Sequence, residues 1–299
     1  MTKKNLIILL FSLFIYSQQF AQFNVTLSKY VELPNKIKLE YVEQGNPAGI
    51  PVIFLHGFTD SWHSFELVFN NLGTSVHAYA ITQRGHGDSD KPTNGYEISD
   101  FSNDVAAFMK KMNIGPAIIV GHSMGGTIAQ RFVLDHPEMT LGLVLAGSFL
   151  RYDNKPILND FRTVVDKLTD PVDVEFVTEF QKGTLAGPVP ESFFNMSVQE
   201  SMKLPAHVWQ AVASGFMKAD YSEELKKFSK PTLIIWGDKD VFCTSADQQM
   251  FARIIKGSDL LIYRNTGHGI HWEQPARFAS DLEFFTRKNF SPDRSNINN

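Results

Sequence analysis

Three places along the chain hold residues with the types needed for nucleophilic acyl transfer: Ser123, the pair Asp238 and Asp240, and His268. A free serine hydroxyl is a weak nucleophile, so a base must take its proton during attack. An imidazole can serve as that base, provided a carboxylate fixes its tautomer and stabilises the imidazolium that forms. Ser123 sits in Ile118-Ile119-Val120-Gly121-His122-Ser123-Met124-Gly125-Gly126. A short apolar, β-branched run stops at a glycine, the serine follows, and a helix-forming segment begins after further glycines. Gly121-x-Ser123-x-Gly125 fits a nucleophile elbow, a sharp strand-to-helix turn that lifts a serine hydroxyl above a sheet edge. The first N–H groups of the helix, that of Met124 among them, then point at whatever the serine attacks. So short a motif gains weight only if the other parts fall at the same edge.

The surrounding elements place them there. Pro51–Leu55 is a continuous apolar run, as for a strand buried on both faces, and it ends in His56-Gly57-Phe58. His77–Thr82 is a further strand, ending in Gln83-Arg84-Gly85-His86-Gly87-Asp88-Ser89. Leu141–Leu145 and Pro231–Trp236 repeat the buried pattern, the latter ending in Gly237-Asp238-Lys239-Asp240, and Asp259–Tyr263 precedes Gly267-His268-Gly269. Ile37–Glu43 alternates apolar and charged residues and reads as a half-buried strand. Helices are predicted over 62–72 with Ser61 as cap, 99–112 with Ser99 as cap, 127–134, 245–255 and 273–288. Strands alternating with helices predict an α/β fold with a mostly parallel sheet covered on both faces. In such sheets ligands bind beyond the carboxyl ends of the strands, where Ser123, Asp240 and His268 all fall.

These stretches resemble the α/β-hydrolase fold family, in the branch that holds esterases, lactonases, serine-dependent haloperoxidase-type perhydrolases and carbon–carbon bond hydrolases. The matching motifs are His56-Gly57-Phe58, Arg84 to Ser89, Gly121 to Gly126, Trp236 to Asp240 and Gly267-His268, in the family's order and over nearly the whole chain. The resemblance implies an eight-stranded, mostly parallel sheet with a helical cap. It selects Asp240 over Asp238 as the acid, and it implies the backbone N–H of Phe58 as a second oxyanion donor beside that of Met124. The family often has a proline four residues after the acid, where this chain has Thr244. Haloalkane dehalogenases and epoxide hydrolases of this fold attack with an aspartate at the elbow, and Ser123 argues against both.

The rhythm of the sheet breaks after Phe149. Residues 150–225 read as a helical cap inserted between core segments 22–149 and 226–290. Phe161, Val164, Val165 and Leu168 make one helical stripe, and Val172, Phe176, Val177 and Phe180 another. Most of these aromatics are expected to be plain core. Of the remaining histidines, His56 and His86 are expected to bond locally beside glycine turns, His122 to pack, His63 to face the pocket or the surface, and His271 to begin the last helix with Glu273. No spacing suggests a zinc site, and no phosphate-cradling or dinucleotide loop is present, so no cofactor or metal is expected.

The net charge of −4 over 299 residues carries no basic patch, which argues against nucleic acid as partner. Lys3 and Lys4, then an apolar stretch from Leu6 to Tyr16, then polar residues and Ala21, have the layout of a secretory signal peptide spanning 1–21. The stretch is short for a spanning helix, which needs about 20 residues, so no stable membrane span is expected after cleavage. Residues 291–299 form a loose polar tail. The single cysteine, Cys243, cannot form an internal disulfide and is expected as a small buried filler. Taken together, the sequence predicts an exported (periplasmic or extracellular) serine hydrolase that cleaves carboxylic esters or lactones through an acyl-enzyme. The alternatives are a carbon–carbon bond hydrolase or perhydrolase with the same Ser123, Asp240 and His268, or a ligand-binding receptor on a retained hydrolase scaffold.

Overall fold

The computed structural model describes residues 27–153 and 155–290. The signal peptide and polar tail expected at the two ends lie outside the described residues. Eight strands form one sheet: β1 (Lys29–Glu32), β2 (Lys38–Gly45), β3 (Ile50–Leu55), β4 (Val76–Ile81), β5 (Ala117–His122), β6 (Thr140–Ala146), β7 (Thr232–Gly237) and β8 (Asp259–Tyr263). Their spatial order is β1-β2-β4-β3-β5-β6-β7-β8. β2 is antiparallel to both of its neighbours, and every other pairing is parallel.

Parallel strands buried on both faces should read as unbroken apolar runs, and β3, β5, β6 and β7 do. Alternate residues of each run serve different cores. Ile53, Leu55, Ile119, Leu143, Leu145 and Ile234 belong to one. Val52, Phe54, Ile118, Val120, Val144 and Ile235 belong to the other. β1 is the strand the sequence did not disclose: only Val31 of its four residues is buried, so it carries almost no hydrophobic pattern.

A 3-10 turn over Trp62–Phe65 runs into α1 (Glu66–Phe69), with the Ser61 side chain accepting from the His63 N–H as expected of a cap. This replaces the single helix predicted over 62–72. α2 (Ile98–Lys111) begins one residue before the predicted cap. Glu97, not Ser99, caps it, in a reciprocal capping box with Asp100. α3 (Met124–Asp135) starts directly at the elbow. Four helices, α4 (Pro156–Val165), α5 (Val174–Lys182), α6 (Glu191–Met202) and α7 (Ala206–Phe216), followed by the short α8 (Ser222–Leu225), lie between β6 and β7. Their buried residues Leu158, Val177, Val208 and Trp209 share the core of α2 and α3 rather than forming a separate one. α9 (Ser245–Ile254) is capped by Thr244 in a box with Asp247. The last predicted helix is two: α10 (Ile270–Glu273), and α11 (Pro275–Phe290), which restarts at a proline that can only open a helix.

A buried ion pair fixes the loop after β4. Arg84 donates through Nε and Nη2 to the two carboxylate oxygens of Asp104 on α2, both at 2.6 Å, and through Nη1 to the Gly95 carbonyl at 2.9 Å. This accounts for the Arg84 motif as a structural tie rather than a chemical group.

Candidate active site

Ser123 closes β5 and caps α3 with φ 52° and ψ −119°. A positive φ is strained for a residue with a side chain, and the packing around it leaves no alternative. A Cβ on Gly121 would lie 2.3 Å from the Gly125 carbonyl oxygen, and one on Gly125 would lie 2.1 Å from that of Leu55. The elbow glycines are thus required by contact, so that α3 can cross closely over β3 and β5. The Ser123 N–H donates to the Ala146 carbonyl at 3.0 Å, which ties the turn to β6.

His268 follows β8 and Asp240 follows β7. The His268 Nδ1 lies 2.8 Å from Asp240 Oδ2, and both side chains are buried. A carboxylate can only accept, so Nδ1 carries the proton and Nε2 is left as the basic atom. The second oxygen, Oδ1, accepts from the N–H groups of Phe242 and Cys243 at 2.8 and 2.9 Å, which fixes the carboxylate in place. Asp238, the rival acid, is occupied elsewhere. Its Oδ1 accepts from the Asn265 N–H at 2.6 Å and its Oδ2 pairs with Arg264. Ser123 and His268 line the same cavity, together with Phe58.

Cys243 is fully buried, its thiol donating to the Gly147 carbonyl at 3.1 Å. Asp240, Cys243 and His268 present ligand-type atoms within 4.8 Å of one another. Their chemistry does not suit a metal: burial and then the Asp240 charge push the thiol well above its ordinary range, and the Asp240 and His268 atoms already bond each other.

Six phenylalanines, Phe58, Phe149, Phe161, Phe180, Phe216 and Phe242, wall the cavity, with Tyr152, Leu158 and Thr184 between them. Phe161 and Phe180, expected as plain core, instead stack on each other at 5.3 Å and edge against Phe58. The Tyr152 hydroxyl is engaged with Thr127 Oγ1 at 2.6 Å, so that residue offers its ring. Among the described residues, no Asp, Glu, Lys or Arg side chain lines the cavity.

The other histidines support the site's frame. His56 donates from Nδ1 to the Gly57 carbonyl at 2.8 Å and accepts the Gln83 N–H on Nε2 at 3.0 Å, pinning the loop after β3 to the loop after β4. His86 donates to the Arg84 carbonyl at 2.9 Å. Burial keeps both neutral, His56 well below its ordinary range and His86 down to about 4. His63 pairs with Glu66 and stacks on Trp62, away from the cavity. His122 does more than pack: its Nε2 donates to the backbone carbonyl of His268 at 2.9 Å. His271 contacts Ser64 Oγ at 2.9 Å, and burial lowers its titration to about 3.

Two acids that the sequence did not single out hold the loops. Glu273 Oε1 accepts from Gly267 N–H at 2.9 Å and Ala186 N–H at 3.2 Å, joining the His268 loop to the segment after α5. Asp60 is buried two residues after Phe58 and accepts from Ser64 Oγ and Gln181 Nε2, each at 3.1 Å. Burial raises its carboxyl to about 6, although these hydrogen bonds oppose the shift.

Comparison with known proteins agrees with this architecture. The chain is 27% identical over 275 residues to the AB hydrolase superfamily protein YisY of Bacillus subtilis (strain 168), covering 87% of this chain and 99% of that protein. It is 25% identical over 264 residues to a non-heme chloroperoxidase of Streptomyces lividans, covering 83% and 95%. Among solved structures it is similar to Est816, described as an N-acyl homoserine lactone degrading enzyme, with a TM-score of 0.72 and 26% identity over 86% of this chain and 100% of that one. The model of the alpha/beta hydrolase fold family matches residues 50–275. With the elbow at Ser123, the sheet order and this match over most of its length, the chain belongs to the alpha/beta hydrolase fold family.

Proposed function

We propose that the protein is a serine hydrolase that cleaves uncharged carboxylic esters or lactones through an acyl-enzyme. One observation carries this reading: the buried His268–Asp240 pair opens, beside Ser123, into an apolar cavity. In this reading His268 Nε2 takes the Ser123 proton as Oγ attacks the ester carbonyl. The oxygen of the tetrahedral intermediate accepts from the N–H groups of Met124 and Phe58. Collapse breaks the bond to the alcohol, which leaves with the proton from His268. Water, deprotonated by His268, then attacks the acyl-enzyme and releases the acid. Loss of one oxyanion donor typically costs about 10²–10³ in rate.

The aromatic walls bear on the substrate class. A charged acyl group would shed its water with no counter-charge to meet it, which is costly, whereas an apolar chain or ring gains by burial. Hydrolysis of p-nitrophenyl acetate and butyrate and of a lactone panel tests the proposal. Activity that disappears in Ser123→Ala supports it, and inactivity of the wild type on every neutral ester and lactone overturns it.

A second reading draws on the chloroperoxidase relative. Hydrogen peroxide in place of water would attack the acyl-enzyme, giving a peracid and free Ser123. Bromination that needs both peroxide and a carboxylic acid would distinguish it. We further propose export, supported by Lys3, Lys4 and the apolar run from Leu6 to Tyr16. An N-terminus beginning near Gln22 in the secreted or periplasmic fraction tests that step.

A further inference from the structure

The turn that carries the Phe58 N–H is held from the cap by buried polar side chains that touch no substrate. Thr59, the next residue, has φ 70°. A β-branched residue in the left-handed region is strained and persists only where its surroundings dictate it. Thr59 is fully buried, and its Oγ1 lies 2.9 Å from Ser201 Oγ on α6. Ser201 Oγ also lies 3.3 Å from the Thr59 carbonyl oxygen and 3.1 Å from the Ser197 carbonyl of its own helix. Gln181 on α5 is 1% exposed, and its Nε2 donates to Ser201 Oγ at 2.8 Å and to Asp60 Oδ1 at 3.1 Å, with Thr59 Oγ1 at 3.4 Å. Asp60 closes the same turn through its N–H to the Gly57 carbonyl. None of Thr59, Asp60, Gln181 or Ser201 lines the cavity.

An apolar contact would seat the cap on the core equally well. A closed set of directional bonds instead fixes one backbone geometry, and here that backbone bears the Phe58 N–H. We propose that Gln181 and Ser201 are positioning residues for this donor, so that the cap sets the oxyanion-binding geometry as well as walling the pocket. The inference rests on the acyl-enzyme reading of the site. It makes the chemical step sensitive to cap residues that never meet the substrate.

Steady-state kinetics on p-nitrophenyl acetate test it, with binding of an alkyl boronic acid, which forms a tetrahedral Ser123 adduct, as a second readout. Gln181→Leu should lower kcat at least 10-fold and weaken the boronic acid in proportion, while KM changes less than about threefold. Thr59→Gly removes the Oγ1 contact but relieves the backbone strain, so it folds even if Gln181→Leu does not. It should show the same selective loss, and Thr59→Ser, which keeps the hydroxyl, should stay within about twofold of wild type. A kcat within twofold of wild type in Thr59→Gly, or a loss that falls on KM alone, would overturn the proposal. If the wild type hydrolyses no ester, the acyl-enzyme reading fails first; if it does and these variants match it, only the positioning role fails.

Discussion

The imidazole of His122, next to Ser123, donates from Nε2 to the main-chain carbonyl of His268 at 2.9 Å. The elbow therefore grips the backbone of the residue proposed as its base, over a separation of 146 positions in sequence. Burial, with His271 and His268 nearby, pushes the His122 ring well below its ordinary range, so it stays neutral with its one proton on Nε2.

His122→Phe keeps a buried ring but leaves the His268 carbonyl without this partner. That carbonyl still accepts from the Ile270 N–H at 2.9 Å, so the loss is one hydrogen bond, typically about 0.5–1.5 kcal/mol. Denaturant unfolding should show a loss of that size. Ester hydrolysis should fall at least several-fold beyond any change in folded fraction, because the loop that orients the imidazole loses its anchor. Full activity in a folded His122→Phe would contradict this.

Asp60 gives stability a pH dependence of known sign. Its folded carboxyl titrates at about 6, against roughly 3.9 for an unfolded aspartate. Ser64, Gln181, the Gly57 N–H and the His268 charge all favour its ionised form, and burial outweighs them. The folded state thus binds the proton more tightly, and this group's contribution improves as pH falls from about 6 to about 4. Asp60→Asn removes that term. Wild type should therefore gain on the order of 2 kcal/mol relative to Asp60→Asn between pH 7 and pH 4, measured by urea unfolding. A difference that stays flat over that range would contradict the assignment.

Glycine contacts at the elbow predict a sharp contrast between two similar substitutions. Gly125→Ala places a methyl 2.1 Å from the Leu55 carbonyl oxygen, a rigid backbone atom. Gly115→Ala places one in open space. The first should yield little soluble folded protein, and the second should change stability by no more than about 0.5 kcal/mol. Comparable melting curves for the two would show that α3 can shift away from β3.

The Arg84–Asp104 pair is buried on both sides, with two bonds at 2.6 Å. Asp104→Ala strands the guanidinium, at a cost of about 3–5 kcal/mol. Asp104→Asn keeps an acceptor and should cost less. Both effects are read as shifts in the unfolding midpoint, with the kinetics of the remaining folded enzyme little changed.

Much of the architecture is legible in the sequence. β3, β5, β6 and β7 are buried on both faces, so their sequences are unbroken apolar runs. Ser123 and Asp240 each follow such a strand, and His268 follows the less buried β8, so the edge they share can be read from the chain order. β1 was not legible because a single buried residue gives no period. The two stripes that hold Phe161 and Phe180 read mostly as core because helical spacing does not say whether the covered face meets protein or a cavity. The tasks of His122, Asp60, Gln181 and Glu273 depend on partners far off in sequence, such as the 121 positions between Asp60 and Gln181. No local pattern encodes such contacts. They follow only once the helices between β6 and β7 pack against the loops at the strand ends.

Intact-mass and peptide analysis after fluorophosphonate treatment tests the central claim most directly, since only an activated serine reacts quickly. The account predicts one adduct per chain, located on Ser123 and absent in Ser123→Ala. No adduct on the folded wild type, or an adduct that persists in Ser123→Ala, would contradict it.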